Sequence, residues 1–300
     1  MGKELAANYP AARRTFEEAD EALGYKLSQV CFEGPEEKLK LTEITQPAIL
    51  TASIAAWRVL QEKGLKPDVS TYAAGHSLGE YSAHVAAGTL TFADAVRTVR
   101  NRGKYMQEAV PVGVGAMAAI LGMTLGQVTE VANEAARGEV CQAANINSPE
   151  QIVISGHAGA VDRAIKLAIE RGAKKAVSLP VSAPFHCALM QPAQDRLAVD
   201  LGALSFQNPS FEVVCNIDAA VVGSAEAARE ALIRQVTGTV KWEPSVRLLI
   251  DKGASLFIEV GPGKVLWGLM RQIDRSKTCV TVGDDASLQK ALTQVAAMAA

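Results

Sequence analysis

The chain lacks the features that mark several large protein classes. Its five cysteines (Cys31, Cys141, Cys187, Cys215, Cys279) are odd in number, far apart and without a CxxC pair. That spacing argues against both a disulfide framework and a zinc site, so all five are expected to be buried thiols. Charge of one sign is missing too: 30 Lys+Arg stand against 32 Asp+Glu, a formal net charge of -2, with no long basic or acidic run. No nucleic-acid surface is therefore expected. No window approaches the roughly 18 apolar residues of a membrane span, and the N-terminus has no basic-then-apolar signal layout. A cytoplasmic protein without a membrane partner is expected. What is present is 49% hydrophobic residues in 300, enough to bury a full core and to form two domains. Near-neutral, unpatterned surface helices suggest a monomer.

The chain opens in helical pattern, at Glu4 to Ala6 and from Ala11 to Leu23, with Gly24 as a stop. Short β-rich runs then alternate with amphipathic helices, which predicts an α/β fold with a mainly parallel sheet covered on both faces. Val69 to Ala73 precedes a helix from Leu78 to Ala87, Ser255 to Val260 precedes Lys264 to Ile273, and Thr278 to Val282 precedes a helix from Asp285. The rhythm changes between two Gly/Pro-marked joints at residues 111–115 and 180–184. Between them the order is strand (Ala116 to Leu121), helix (Leu125 to Arg137), strand (Val140 to Ile146), strand (Gln151 to Ser155), helix (Ala160 to Arg171), strand (Lys175 to Leu179). That β-α-β-β-α-β order is the ferredoxin-like plan. It predicts a small domain over residues 113–182 inserted into a large α/β domain made of 1–112 and 183–300.

Gly75-His76-Ser77-Leu78-Gly79 follows a predicted strand and opens a predicted helix. In that setting Ser77 would sit on a sharp turn with its hydroxyl projecting, the arrangement of a nucleophile elbow. The Leu78 amide, at the positive end of the helix, would face a developing oxyanion. A serine needs a base, and the chain has four histidines. His76 adjoins the serine, His84 lies two turns along the same helix, and His157 sits in a turn of the small unit. His186 lies at the return joint between the two domains, where a cleft is expected, and is the candidate base. No convincing acid lies between Ser77 and His186, since Asp94 and Asp162 read as helix-surface residues. A backbone carbonyl is expected to orient the histidine instead. On the helix from Phe92 to Gln107, Arg102 stands apart from Arg97, Arg100 and Lys104, close to the apolar face. So placed it needs an anion, either a protein carboxylate in a plain ion pair or a substrate carboxylate. Gly261-Pro262-Gly263 reads as a structural turn.

Six blocks, in order, resemble the malonyl-CoA:acyl carrier protein transacylase family: Thr45 to Leu50, Gly75 to Ser82, Arg102 to Ala109, Asn145 to Pro149, His186 to Met190 and Glu259 to Val265. The resemblance implies an α/β-hydrolase-like large domain with a ferredoxin-like insertion. It also implies ping-pong transfer of a malonyl group from malonyl-CoA to the phosphopantetheine thiol of acyl carrier protein, in fatty acid biosynthesis, with no cofactor beyond these substrates. By the same resemblance Ser77 is the nucleophile, His186 the base and acid, Arg102 the grip on the free carboxylate and Gln46 a buried support. The position of the carbonyl that orients His186 aligns with Lys241. Phe185 leaves little room for an α-methyl group. Asn147, at a turn of the small unit facing the cleft, is a further binding candidate. Family members begin with a strand and a Gly-Gln-Gly-Ser-Gln loop that gives a second oxyanion amide. Met1-Gly2-Lys3 matches the helix after that loop, so a missing first strand and weak activity are expected. Two other readings follow from the residues: a serine esterase or thioesterase, in which Arg102 would have no role, and a truncated chain that only docks carrier protein.

Overall fold

A computed structural model describes residues 1–68 and 70–299. The helical start is present as α1 (Lys3–Asn8) and α2 (Pro10–Leu23), and α2 stops at Gly24, whose φ of 72° is the left-handed turn that glycine enters freely. Two short helices, α3 (Leu27–Glu33) and α4 (Glu36–Leu39), lead into α5 (Thr42–Glu62). α5 buries residues on every side, among them Ile44, Gln46, Ala48, Leu50, Ile54, Ala55 and Val59. A helix enclosed in this way shows no apolar stripe, so periodicity does not delimit it. Next come β1 (Tyr72–Ala74), α6 (Gly79–Ala86) and α7 (Phe92–Glu108). The strand expected from Val69 to Ala73 is thus realised a little later, and Val69 itself lies outside the described residues. Thr91 caps α7 by accepting the Asp94 amide, and α7 buries Phe92, Ala95, Val96, Val99, Arg102, Gly103 and Met106.

The middle of the chain runs β2 (Gly115–Leu121), α8 (Leu125–Ala136), β3 (Cys141–Ser148), β4 (Gln151–His157), α9 (Ala158–Glu170) and β5 (Lys175–Ser178). These six elements follow the sequence reading with small shifts at the ends. The strands form an antiparallel sheet in the order β3-β4-β2-β5. Val128, Val131, Ala160 and Ala164 of the helices pack on Ile120, Ile152 and Ile154 as a core of their own. On the other face Met117, Ala119, Ala144 and Val153 meet Phe185.

The rest of the chain comprises α10 (Gln191–Gly202), β6 (Glu212–Cys215), β7 (Ala220–Val222), α11 (Ala225–Arg234), α12 (Trp242–Asp251), β8 (Leu256–Val260), α13 (Val265–Ile273), β9 (Thr278–Val282) and α14 (Asp285–Ala299). The fold is mixed α/β, but the expected mainly parallel sheet is divided. β1 pairs parallel with β6 and β6 antiparallel with β7, whereas β8 pairs parallel with β9 in a separate sheet. β1 and β8 each end their sheet, and all of their residues are half-exposed. Ala74 and Phe257 nonetheless pack against one cluster built on Trp242, Leu269 and Met270. The main core joins α1, α2, α5, α7, α10 and α11 through Leu5, Phe16, Ile54, Val96, Leu197 and Leu232. Among the described residues no helix is long and apolar enough to cross a membrane. Four of the cysteines are buried as expected; Cys279 is half-exposed, because β9 lies in the small two-stranded sheet.

Candidate active site

The turn from β1 into α6 is too tight for any side chain at its first residue. A Cβ on Gly75 would stand 1.9 Å from the backbone of Gly79. Two residues on, Ser77 has φ 52°, in the left-handed region that residues with a side chain rarely occupy. The strain is held by hydrogen bonds from distant segments. Asn216, just after β6, accepts the Ser77 amide at 2.7 Å and donates to the Gly75 carbonyl at 2.7 Å. Gln235, just after α11, donates from Nε2 to the Ser77 carbonyl at 2.9 Å. The Leu78 amide lies at the N-terminus of α6, where helix amides have no carbonyl one turn earlier to bond.

His186 completes the pair. Its Nε2 is 2.7 Å from Ser77 Oγ, and its Nδ1 is 2.9 Å from the backbone carbonyl of Gln235. With Nδ1–H donating to that carbonyl, Nε2 is left as the acceptor for the serine proton. Like Ser77, His186 is in the left-handed region, at φ 58°. Burial, and then the nearby Arg102 guanidinium, push its pKa down to about 3, so the neutral imidazole stands ready as a base. The orienting carbonyl is a correction to the sequence reading, which pointed to Lys241. Lys241 instead precedes α12 and spends its amide on the Asn216 carbonyl. Gln235 caps the end of α11, and carbonyls there have no intrahelical partner, which frees this one for the histidine.

Arg102 is only 2% exposed. Its Nη1 donates to Gln46 Oε1 at 2.8 Å, and its Nη2 reaches Ser77 Oγ at 3.1 Å and Gln235 Oε1 at 3.0 Å. The Tyr81 ring lies 5.8 Å from the guanidinium carbon. All these partners are neutral, and among the described residues Arg102 forms no ion pair. Gln46 also points its amide nitrogen at Met106 Sδ, 3.9 Å away. A cavity of about 440 Å³ opens over these groups, lined by Gln46, Ser77, Leu78, Arg102, Phe185 and His186, with Lys40 and Val181 at its exposed rim.

The other sequence candidates fall elsewhere. Asn147 lies within β3 rather than at a turn, and it bonds His76 Nε2 at 2.8 Å behind the cavity wall. It therefore meets the site through His76, which also packs on Trp242. His157 accepts the Val140 amide, and His84 is wholly buried with neither ring nitrogen hydrogen-bonded. Asp94 serves the N-terminus of α7 beside Thr91 and Arg97, and Asp162 is exposed on α9. Three residues that bear on the site were not anticipated: Glu80, Asn216 and Gln235. Glu80 is fully buried on the first turn of α6, and its Oε2 accepts both the Asn216 amide at 2.9 Å and Gln235 Nε2 at 2.7 Å. Burial raises its pKa to about 7. Among the described residues no group of His, Cys, Asp and Glu could hold a metal ion.

The family model of the acyl transferase domain matches residues 1–298. The malonyl CoA-acyl carrier protein transacylase of Salmonella typhimurium is 50% identical over 294 residues, which span 98% of this chain and 94% of that protein. The solved structure of the malonyl CoA-acyl carrier protein transacylase from Coxiella burnetii is similar at TM-score 0.95 and 43% identity, over 98% of this chain and 92% of that one. A malonyl-transacylase solved in complex with its holo type II PKS acyl-carrier protein is similar at TM-score 0.95 and 46% identity, over 98% and 94% of the two chains. A family match along almost the whole length, with relatives at half identity, shows that the chain belongs to the acyl transferase domain family, in the company of malonyl CoA-acyl carrier protein transacylases.

Proposed function

We propose that this protein moves a malonyl group from malonyl-CoA to the phosphopantetheine thiol of acyl carrier protein, through a malonyl ester on Ser77, as a step of fatty acid biosynthesis in the cytoplasm. The observation that carries the reading is the position of Ser77 Oγ, 2.7 Å from the imidazole of His186 and 3.1 Å from a buried guanidinium that, among the described residues, touches no carboxylate directly. A nucleophile beside a cation with no carboxylate in direct contact suits an acyl group that ends in a carboxylate. The names of the relatives agree with it. An esterase acting on neutral acyl groups would keep Arg102 buried to no purpose.

The malonyl carboxylate takes Arg102 in a two-pronged grip, which sets the thioester carbonyl over Ser77. Ser77 Oγ attacks that carbon while His186 Nε2 takes the hydroxyl proton, and the Gln235 carbonyl supports the imidazolium through Nδ1–H. The Leu78 amide holds the oxyanion. Collapse breaks the carbon–sulfur bond, and the departing thiolate takes the proton from His186 and leaves as coenzyme A. The carrier thiol then repeats the sequence in reverse roles. Acyl group and protons balance without a cofactor. The bound carboxylate also offsets the guanidinium charge that depresses the His186 pKa, so the base strengthens when the correct substrate is seated. Phe185 on the cavity wall narrows the space beside the malonyl methylene, and Gln46 keeps the guanidinium in place. His76, braced by Asn147, closes one side.

The same reading takes residues 113–182 as a ferredoxin-like domain inserted into an α/β-hydrolase-like domain of residues 1–112 and 183–300. The open edges of β1 and β8 could each pair with one more strand. A strand between them would join the two sheets into one, and the loop behind it would carry the second oxyanion amide.

The test is intact mass after brief exposure to malonyl-CoA. The parent chain is expected to gain one malonyl group, Ser77→Ala none and Arg102→Ala very little. Failure of the parent to gain it, even with a strand added between β1 and β8, would discard the transacylase reading.

A further inference from the structure

A guanidinium enclosed as Arg102 is needs a counter-charge, and the chain supplies one across a single amide. Gln235 accepts Arg102 Nη2 on its Oε1 at 3.0 Å and donates its Nε2 to Glu80 Oε2 at 2.7 Å. Guanidinium, amide and carboxylate form one buried line. The second oxygen of Glu80, Oε1, has no hydrogen bond, and neither ring nitrogen of His84 has one. Those two orphaned groups face each other, with His84 Nε2 4.0 Å from Glu80 Oε1. A proton on Oε1 would turn that oxygen into a donor facing His84 Nε2, and an approach of about 1 Å would close a hydrogen bond between them.

Above about pH 7 the empty pocket therefore holds one positive and one negative charge. Once a malonyl carboxylate is on Arg102, a single cation faces two carboxylates where water is scarce. Like charges sharing a buried site are not both kept ionised. We infer that Glu80 takes up a proton on Oε1, shared toward His84, when the malonyl group binds, so that Arg102 passes from its internal counter-charge to the substrate. The inference rests on the reading that the malonyl carboxylate sits on Arg102.

The surrounding groups leave Glu80 as the one that responds near neutrality. On its own helix, burial holds His84 down to about 4 and holds the Tyr81 phenol up. From α7 comes Arg102 itself. From β6 and the turn after it come Cys215, held up by burial, and Asp218, held down by Arg234 at the end of α11. β1 carries Tyr72, which faces Lys252, and α5 buries no charged side chain. Beyond Arg102, His186 remains neutral. Burial places Glu80 at about 7 in the empty pocket, and a second carboxylate moves it higher.

The sign follows from linkage. The bound state keeps the proton and the free state loses it above about pH 7, so binding draws a proton from solution and weakens as pH rises. The experiment mixes the protein with malonyl-CoA in weak buffer at pH 7 to 7.5, below the range of the released thiol, and follows an indicator dye beside intact mass. About half a proton is expected to be taken up per malonyl group gained. Between pH 7 and 8.5 the KM for malonyl-CoA is expected to rise about three- to tenfold relative to the Ki of acetyl-CoA, which has the same coenzyme A and no free carboxylate. Glu80→Gln is expected to abolish the uptake and flatten that ratio at its low-pH value. Malonylation without proton uptake in the parent, or an unchanged ratio across the range, would overturn the inference whether or not the variant folds. No malonylation at all would remove the reading beneath it instead.

Discussion

Ser77 Oγ gives a hydrogen bond to His186 and receives one from Arg102, so replacing either neighbour should act on the nucleophile in a different way. His186→Ala removes the base and is expected to slow serine malonylation by roughly 10²–10⁴-fold, read by quenched-flow mass spectrometry. A loss under tenfold would mean that another group takes the proton. Arg102→Lys keeps the charge but not the fork, and is expected to lower kcat/KM for malonyl-CoA by on the order of 10²-fold, with most of the loss in KM. An equal loss for acetyl-CoA turnover would argue that Arg102 supports the fold rather than the carboxylate. Asn216→Ala leaves the Ser77 amide and the Gly75 carbonyl unpaired, and is expected to cost about 1–3 kcal/mol per buried group, seen as a lower urea midpoint. An unchanged midpoint would show that the elbow carries no strain needing a clamp. Ser77 and His186 were legible because one lies in a local strand-turn-helix motif and the other at a Pro-marked joint among four histidines. Asn216, Gln235 and Glu80 were not. Asn216 and Gln235 reach the elbow from more than 130 residues along the chain, and Glu80, though three residues from Ser77, reads as an exposed helix position until burial is known.

Between elements, the distance from α7 to α5 decides whether Arg102 can meet Gln46. Gly103 sets it, since a Cβ there would stand 2.5 Å from the Thr42 carbonyl oxygen and 2.8 Å from Glu43 Cα. Gly103→Ala is expected to push the helices apart, destabilising the protein by about 1–3 kcal/mol and raising KM for malonyl-CoA more than it lowers kcat. A rise confined to neither constant, with only a lower melting temperature, would separate packing from the site. At this scale the unit from β2 to β5 was legible throughout, because its helices have one wet face and its strands are bounded by turn residues. α5 was not, being apolar all round, and β6 and β7 are too short for a period to show. The carbonyl behind His186 was misplaced by six residues for a related reason. What frees a carbonyl is the end of a helix, and the end of α11 at Gln235 has no glycine to announce it.

Across the whole molecule, buried titratable groups pull stability in opposite directions with pH. His186 and His84 are held near 3 and 4 in the folded state, against about 6.5 unfolded. Between those limits the unfolded chain binds two protons that the folded one refuses, so acidification below about 6.5 destabilises. Glu80, held up at about 7, has the reverse sign and contributes stability that is lost as pH rises through its folded value. Burial holds His76 down as well, so the histidines outweigh Glu80: the melting temperature is expected to fall from pH 6.5 to pH 5, and a rise over that interval would contradict these assignments. The half-exposed edges of β1 and β8 add a second expectation at this scale, since unpaired edges recruit other strands. The bond from Arg102 to Ser77 has an effect beyond this protein's own reaction. While the pocket is empty, the guanidinium occupies a lone pair of the nucleophile, and an acyl group with a carboxylate draws it away. In a lysate treated with an uncharged fluorophosphonate reporter, this serine would stay largely dark, and a census of reactive serines taken with such reagents would undercount enzymes whose nucleophile waits for a charged acyl group.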